Sequence, residues 1–170
     1  MLLRRVVLGH VRAVFRFRSS SSIIDMTAPH LWYPMARQLS PRQIICHVGP
    51  TNSGKTYSAL QELARASTGM YCGPLRLLAW EVTETMRKRD VPCDLVTGQE
   101  VDELPNATHL SCTIEMARLH EMFECVVLDE CQLIGDAHRG WAWTQAFLGI
   151  QAKTIHLCGR EPQCCILHLR

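Results

Sequence analysis

The stretch Ile44-Ile45-Cys46-His47-Val48-Gly49-Pro50-Thr51-Asn52-Ser53-Gly54-Lys55-Thr56 decides the fold. Its first five residues form an apolar run of strand length. The residues that follow, Thr56 to Arg65, have helical composition and contain neither Gly nor Pro. A strand, a Gly-rich turn and a helix in succession aim consecutive backbone N–H groups and the positive helix end at one point. The spacing Gly-x-x-x-x-Gly-Lys-Thr gives its positions distinct tasks. Gly49 and Gly54 let the backbone approach oxygen atoms where a Cβ would collide, and Pro50, Thr51, Asn52 and Ser53 form the arc between them. Lys55 is placed to reach β- and γ-phosphates, and the Thr56 hydroxyl to ligate Mg²⁺. The expectation is a nucleoside triphosphate site.

The chain has 170 residues, is 47% hydrophobic and suits one domain of ordinary size. No apolar stretch approaches the ~20 residues of a membrane span. Residues 1–24 differ in composition from the rest. They carry Arg4, Arg5, Arg12, Arg16 and Arg18, the serines Ser19 to Ser22 and interspersed Val, Leu and Phe, with no acid before Asp25. This composition predicts a disordered leader, a mitochondrial transit peptide directing the chain to the matrix; a basic unstructured tail is the alternative. Five of the 18 basic residues lie in that leader, leaving 13 against 16 acidic ones, so the body is formally about −3 rather than +2. No strongly basic surface points to nucleic acid, although backbone amides and helix ends also bind phosphate.

Nine cysteines suggest a disulfide scaffold only by count. Cys46, Cys72, Cys112, Cys125 and Cys158 lie in or beside apolar runs, where a reduced thiol packs as a small hydrophobe. The sequence contains no Cys-x-x-Cys, and its eight histidines show no zinc-finger spacing, so no metal cluster is expected.

From Ile44 onward, apolar runs at 44–48, 70–72, 94–97, 109–112, 125–128 and 154–158 alternate with helical stretches at 55–65, 75–89, 114–122 and 141–150. The alternation predicts an α/β domain with a mainly parallel sheet, helices on both faces and right-handed crossovers. Ligands in such sheets sit beyond the carboxyl ends of the strands. Residues 25–40 read as an irregular lead-in.

The run Val126-Val127-Leu128 ends in Asp129-Glu130. Asp129 is placed to hold Mg²⁺ opposite Thr56, and Glu130 to orient an attacking water or take its proton. Trp141 and Trp143, two apart, cannot share one helical face, and packing is expected of them rather than base stacking. His138 reads as a solvated loop histidine.

Asp129-Glu130-Cys131-Gln132 resembles the DExQ variant of the DExD/H box of superfamily-two helicases. Further blocks agree in order: 47–57, Tyr71-Cys72-Gly73-Pro74-Leu75-Arg76, Val91 to Gly98, Ser111 to Met116, Arg139-Gly140-Trp141-Ala142-Trp143-Thr144 and His156-Leu157-Cys158-Gly159. Together they resemble the mitochondrial ATP-dependent RNA helicases of RNA-degrading complexes, across roughly 32–162. The resemblance implies a three-layer RecA-like P-loop domain over 41–162 that binds ATP and Mg²⁺ and works on RNA, with DNA also conceivable. It implies an exoribonuclease partner. It gives Lys55, Asp129, Glu130 and Gln132 catalytic roles, with Gln132 linking the γ-phosphate to a neighbouring domain. It places RNA backbone contacts at Pro74, Arg76, Thr97, Gly98 and Thr113. Thr113, as a helix N-cap, would aim a helix N-terminus at phosphate.

The end departs from the resemblance. Arg160 stands where Gly-Glu-Pro is expected to continue, and 163–170 reads as a divergent, truncated tail. The family's helicases use two such domains, and the second supplies an arginine finger worth ~10³–10⁵ in rate. Nucleotide binding with slow hydrolysis and no unwinding is therefore expected of these 170 residues alone. Two rivals remain at this point. Cytosolic-type thymidine kinases share a similar loop and an Asp-Glu-x-Gln segment, and a non-catalytic nucleotide- or RNA-binding module would share the family without the output.

Overall fold

A computed structural model describes residues 14–15, 24–25, 32–38, 42–50 and 53–160. Thr51, Asn52, the tail 163–170 and most of the leader lie outside the described residues. Within 1–31, strand β1 (Val14–Phe15) pairs antiparallel with β2 (Ile24–Asp25). The lead-in is not wholly irregular: Pro34–Gln38 forms a short helix, α1. Pro at its first position supplies a preset φ where no helical N–H is needed.

The body alternates strands and helices: β3 (Gln43–Val48), α2 (Lys55–Arg65), β4 (Gly69–Gly73), α3 (Arg76–Arg87), β5 (Cys93–Val96), β6 (Val101–Asp102), β7 (His109–Thr113), β8 (Met122–Leu128), α4 (Gly140–Gly149) and β9 (Gln151–Gly159). The sheet order is β3-β9-β8-β4-β7-β5-β6, parallel throughout except for β6, which turns back antiparallel on β5. Side chains alternate across it. Tyr71, Cys125, Val127 and Cys158 point to one face and pack with Ala59 and Leu63 of α2 and Val82 and Met86 of α3. Met70, Cys72, Val126, Leu128 and Leu157 point to the other and pack with Ala142, Trp143 and Ala146 of α4. Strands covered on both faces read as continuous apolar runs, which is why 125–128 shows no polar alternation. Each fully buried Leu, Val or Met contributes about 1.5–3 kcal/mol.

Two expectations need correcting. The helix predicted over 114–122 is a single 3₁₀ turn, Ile114–Met116, after which Ala117 takes an extended conformation. Helix propensity yields to packing there: Leu119 turns inward against the core and against Gly149, and the chain must reverse to enter β8. β6 was not expected, because its exposed Val-Asp pair is too short to register as an apolar run.

Of the seven described cysteines, six are buried and Cys46 is half-buried. Cys125 and Cys131 are core residues. Among the described residues, no helix is long and apolar enough to cross a membrane.

Three histidines carry protonation penalties. His47 on β3 and His156 on β9 stack at 5.1 Å with Nε2 and Nδ1 2.8 Å apart, so one ring donates to the other. His109 Nε2 donates to the Leu63 carbonyl at 2.9 Å. Burial lowers all three pKa values, and the Glu62 carboxylate only partly offsets this for the stacked pair. A histidine held neutral in the fold protonates more readily when unfolded, so its contribution is present above about pH 6.5 and is lost as pH falls below that value. The melting temperature should therefore drop between about pH 7 and pH 5.5. A flat or rising profile across that window would rule this out.

Candidate nucleotide and nucleic-acid site

Every predicted site residue within the described range lies at one edge of the sheet, beyond the carboxyl ends of its parallel strands. β3 ends at Val48 and runs into Gly49; β8 ends at Leu128 and runs into Asp129; β9 ends at Gly159. Farther along the same edge, β4 delivers Pro74, β5 delivers Thr97 and β7 ends at Thr113. The sheet order thus separates two groups, one around β3, β9 and β8 and one around β4, β7 and β5.

In the first group, Gly49 N–H donates to the Gly159 carbonyl at 3.3 Å, closing the mouth of β3 onto β9. A Cβ on Gly49 would sit 3.1 Å from Ser53 Oγ, so the loop closes tightly there. Gly54 meets a second requirement beside the expected close approach to phosphate oxygens. Its added Cβ would meet open space, but its φ of +80° lies in the left-handed region that only glycine enters freely. That turn launches α2, whose first residue is Lys55.

The Lys55 ammonium folds back into the loop, donating to Gly49 O at 2.8 Å, to Pro50 O and to Ser53 Oγ at 3.4 Å. One turn of chemistry further on, Thr56 Oγ1 donates to Asp129 at 3.1 Å (Oδ1) and 3.3 Å (Oδ2). These residues are 73 positions apart, so the predicted pairing across the site is formed.

Asp129 is 6% exposed and also accepts from Tyr71 Oη at 3.0 Å and from the Glu130 N–H at 2.9 Å. Burial raises its pKa despite those donors, and burial chiefly raises that of Tyr71. A hydroxyl and a carboxylate oxygen facing each other form a hard-oxygen donor set, the kind that suits Mg²⁺. The neighbouring Glu130 holds φ 51°, ψ 44°, a conformation rare outside glycine and asparagine. That twist turns the chain from β8 into the 3₁₀ turn Cys131–Gly135. Gln132 Nε2 donates to Glu130 Oε2, and its Oε1 accepts from Arg160 N–H at 3.2 Å. Gln132 therefore ties Glu130 to the end of β9.

In the second group, Arg76, Thr97, Gly98, Gln99, Thr113, Glu115 and Met116 line a surface concavity of about 340 Å³. Four of the five predicted RNA contacts meet there, and the fifth, Pro74, is buried beside it with its carbonyl accepting from Arg139. Two details change. Thr113 stands at the head of a single 3₁₀ turn and makes no side-chain cap bond, so the α-helix N-terminus expected after it is not formed. The Thr97 hydroxyl is engaged by its own turn, accepting from Glu100 N–H at 3.0 Å and donating to Glu100 O at 3.2 Å. Arg76 is exposed and donates to Gln99 Oε1.

Sequence reasoning passed over Arg139. Its side chain donates to Pro74 O at 2.7 Å, pairs with Glu115 at 2.8 Å and lies 5.7 Å over the Trp143 ring. Trp143 is buried as expected, with Nε1 donating to Asp129 O at 2.9 Å, whereas Trp141, also expected to pack, is 57% exposed on another face of α4. The signal for Arg139 was its place at the head of the block Arg139 to Thr144. His138 is exposed, as expected.

Comparison with known proteins now adds to this geometry. The sequence model of the DEXQ-box helicase domain of Suv3 matches residues 29–168. The chain belongs to this family. It is 55% identical over 141 residues to the mitochondrial DExH-box ATP-dependent RNA helicase DExH16 of Arabidopsis thaliana, covering 83% of this chain and 24% of the plant protein. It is 54% identical over 144 residues to the mitochondrial ATP-dependent RNA helicase SUPV3L1 of Homo sapiens, covering 82% and 18%. The rice mitochondrial helicase SUV3 is 50% identical over 137 residues, covering 81% and 24%. The chain thus spans between 18% and 24% of the length of these relatives. A solved arterivirus nonstructural protein 10 helicase in complex with DNA shares the fold at TM-score 0.54 and 11% identity, over 89% of this chain and 39% of that one. Membership of the helicase family sets aside the thymidine-kinase alternative.

Proposed function

We propose that this chain is the ATP-binding motor domain of a mitochondrial RNA helicase, binding Mg-ATP and contributing to hydrolysis coupled to RNA unwinding. The observation that carries the reading is the Thr56–Asp129 contact at 3.1 Å, with Lys55 inside the adjoining loop. Gly49 to Thr56 would hold the phosphates. Lys55 leaves its loop carbonyls for the β- and γ-oxygens, exchanging one set of acceptors for a charged one. Thr56 and Asp129 would hold the metal, which when bound neutralises charge developing on the transferred phosphoryl group. Glu130, oriented by Gln132, takes the proton of the attacking water. Gln132 in turn reports the state of Glu130 to the end of β9 through Arg160.

The concavity between β4, β5 and β7 is the RNA-backbone contact in this reading, with Arg76 supplying charge and Gly98 leaving its amide accessible. The formally negative body makes that contact one of local geometry rather than of general attraction. The relatives' mitochondrial names and the leader composition support a mitochondrial location, with residues 1–24 as the targeting segment. An exoribonuclease is the expected partner in RNA turnover.

Titration of the 170-residue chain with a fluorescent ATP analogue tests the reading, with and without magnesium. Saturable binding that weakens when magnesium is chelated supports it. No binding at all would sink both the helicase reading and the binding-module alternative, whereas binding without turnover in the presence of RNA selects the module.

A further inference from the structure

Asp129 is gripped twice, once by its carboxylate and once by its main chain. Its carboxylate accepts from Tyr71 Oη at 3.0 Å, and its carbonyl accepts from Trp143 Nε1 at 2.9 Å. Both grips lead to the same place. The Tyr71 phenol lies under Gly73, where a Cβ would come within 2.8 Å of Oη. The Trp143 ring lies under the Arg139 guanidinium, which donates to the carbonyl of Pro74, the next residue along. Arg139 also pairs with Glu115, which lines the concavity with Arg76 and Thr97. A closed ring of contacts therefore runs from the magnesium-side carboxylate to the nucleic-acid side and back.

The ring is held in place from behind. Asp136 Oδ1 accepts from the backbone N–H groups of His138 and Arg139, each at 2.8 Å, and Asp136 O accepts from Gly140 N–H at 3.0 Å. A Cβ on Gly140 would lie 2.3 Å from Ile134 O, so the start of α4 sits flush on the preceding turn. Arg139 has little room to relocate without breaking these contacts. Packed contacts of this kind change in discrete steps rather than by gradual deformation.

We propose that Arg139 and Trp143 are positioning residues that couple the two sites, making RNA affinity depend on bound Mg-ATP through the Asp129–Trp143–Arg139–Pro74 path. The proposal rests on the nucleotide and RNA reading above. A ligand that shifts Asp129 shifts the Trp143 donor, the cation stacked on its ring and, with it, the Pro74 carbonyl. By linkage, RNA must then change nucleotide affinity by the same factor.

The test measures the affinity of the 170-residue chain for a labelled single-stranded RNA, with and without magnesium and a non-hydrolysable ATP analogue. The ratio of the two affinities is the coupling, expected at about fivefold or more in the unmodified chain. Trp143→Phe keeps one aromatic ring for the guanidinium to stack on and removes the Nε1 donor together with the five-membered ring; Arg139→Gln removes the ion pair and the stacked charge. Each variant should bring the ratio close to one while leaving RNA-alone and nucleotide-alone affinities near those of the unmodified chain. Arg139→Lys should recover part of it, and the double variant should lose no more than either single one, because both act on one path. If Arg139→Gln fails to fold by near-ultraviolet circular dichroism, Trp143→Phe decides. A folded variant that keeps the full ratio, or an unmodified chain whose ratio is already one, overturns the coupling and leaves the binding reading standing. An unmodified chain that binds neither ligand removes that reading and the coupling with it.

Discussion

Lys55→Ala is expected to weaken Mg-ATP binding by at least about 100-fold, because it deletes two charge-assisted contacts of about 1.5–3 kcal/mol each. The side chain donates to Gly49 O, Pro50 O and Ser53 Oγ at the head of the sheet, so its loss also leaves loop carbonyls without a cation between them. Those carbonyls belong to a partly exposed loop and can turn to water. Stability should therefore change by no more than about 0.5 kcal/mol, the range of a surface substitution. Equilibrium titration with a fluorescent ATP analogue, together with a thermal melt, separates the two effects. A folded variant whose affinity stays within tenfold of the unmodified chain would mean that the loop amides hold the phosphates without the ammonium. A large fall in melting temperature would instead make Lys55 a structural residue.

The phosphate loop and the carboxylate strand were legible in sequence because each carries its signal locally. A strand, a turn and a helix in succession over 43–65 fix where the amides point, and an apolar run of two-sided burial fixes where Asp129 emerges. The grouping of the proposed nucleic-acid contacts was legible in part. Thr97, Gly98, Thr113 and Arg76 do share one concavity, because β4, β7 and β5 are neighbours in the sheet. The expected mechanism at Thr113 was not legible, since 114–122 has helical composition and only the packing of Leu119 and the entry to β8 stop the helix. Arg139 escaped for a related reason. Its partners Pro74, Glu115 and Trp143 come from three separate segments, and no local spacing records that meeting. The left-handed backbone at Gly54 was not legible, because sequence gives the residue but not its φ, and close approach and positive φ both select glycine.

Asp129→Asn should move binding and stability in opposite directions. Asp129 is buried among Thr56, Tyr71 and the Glu130 amide, and burial holds its pKa above the ordinary carboxylate value. A carboxyl group with a raised folded pKa makes the fold less stable at neutral pH than it is once protonated. Asparagine removes the buried charge and keeps an oxygen for the Glu130 N–H, while the Thr56 and Tyr71 hydroxyls can rotate to accept from its amide. The magnesium-free variant should therefore melt above the unmodified chain at pH 7, and the gap should close as acid protonates Asp129 in the unmodified chain. Nucleotide binding goes the other way. Without the carboxylate, Thr56 is left with no anionic oxygen opposite it, so magnesium should no longer strengthen binding. The loss in magnesium-loaded affinity should be about tenfold or more, the scale of one charged contact. Paired titrations in magnesium and in chelator, with melts across the acid range, check both halves. A variant that still binds nucleotide more tightly with magnesium would place the metal elsewhere, and a variant that melts lower at pH 7 would show that hydrogen bonds to the carboxylate outweigh its burial.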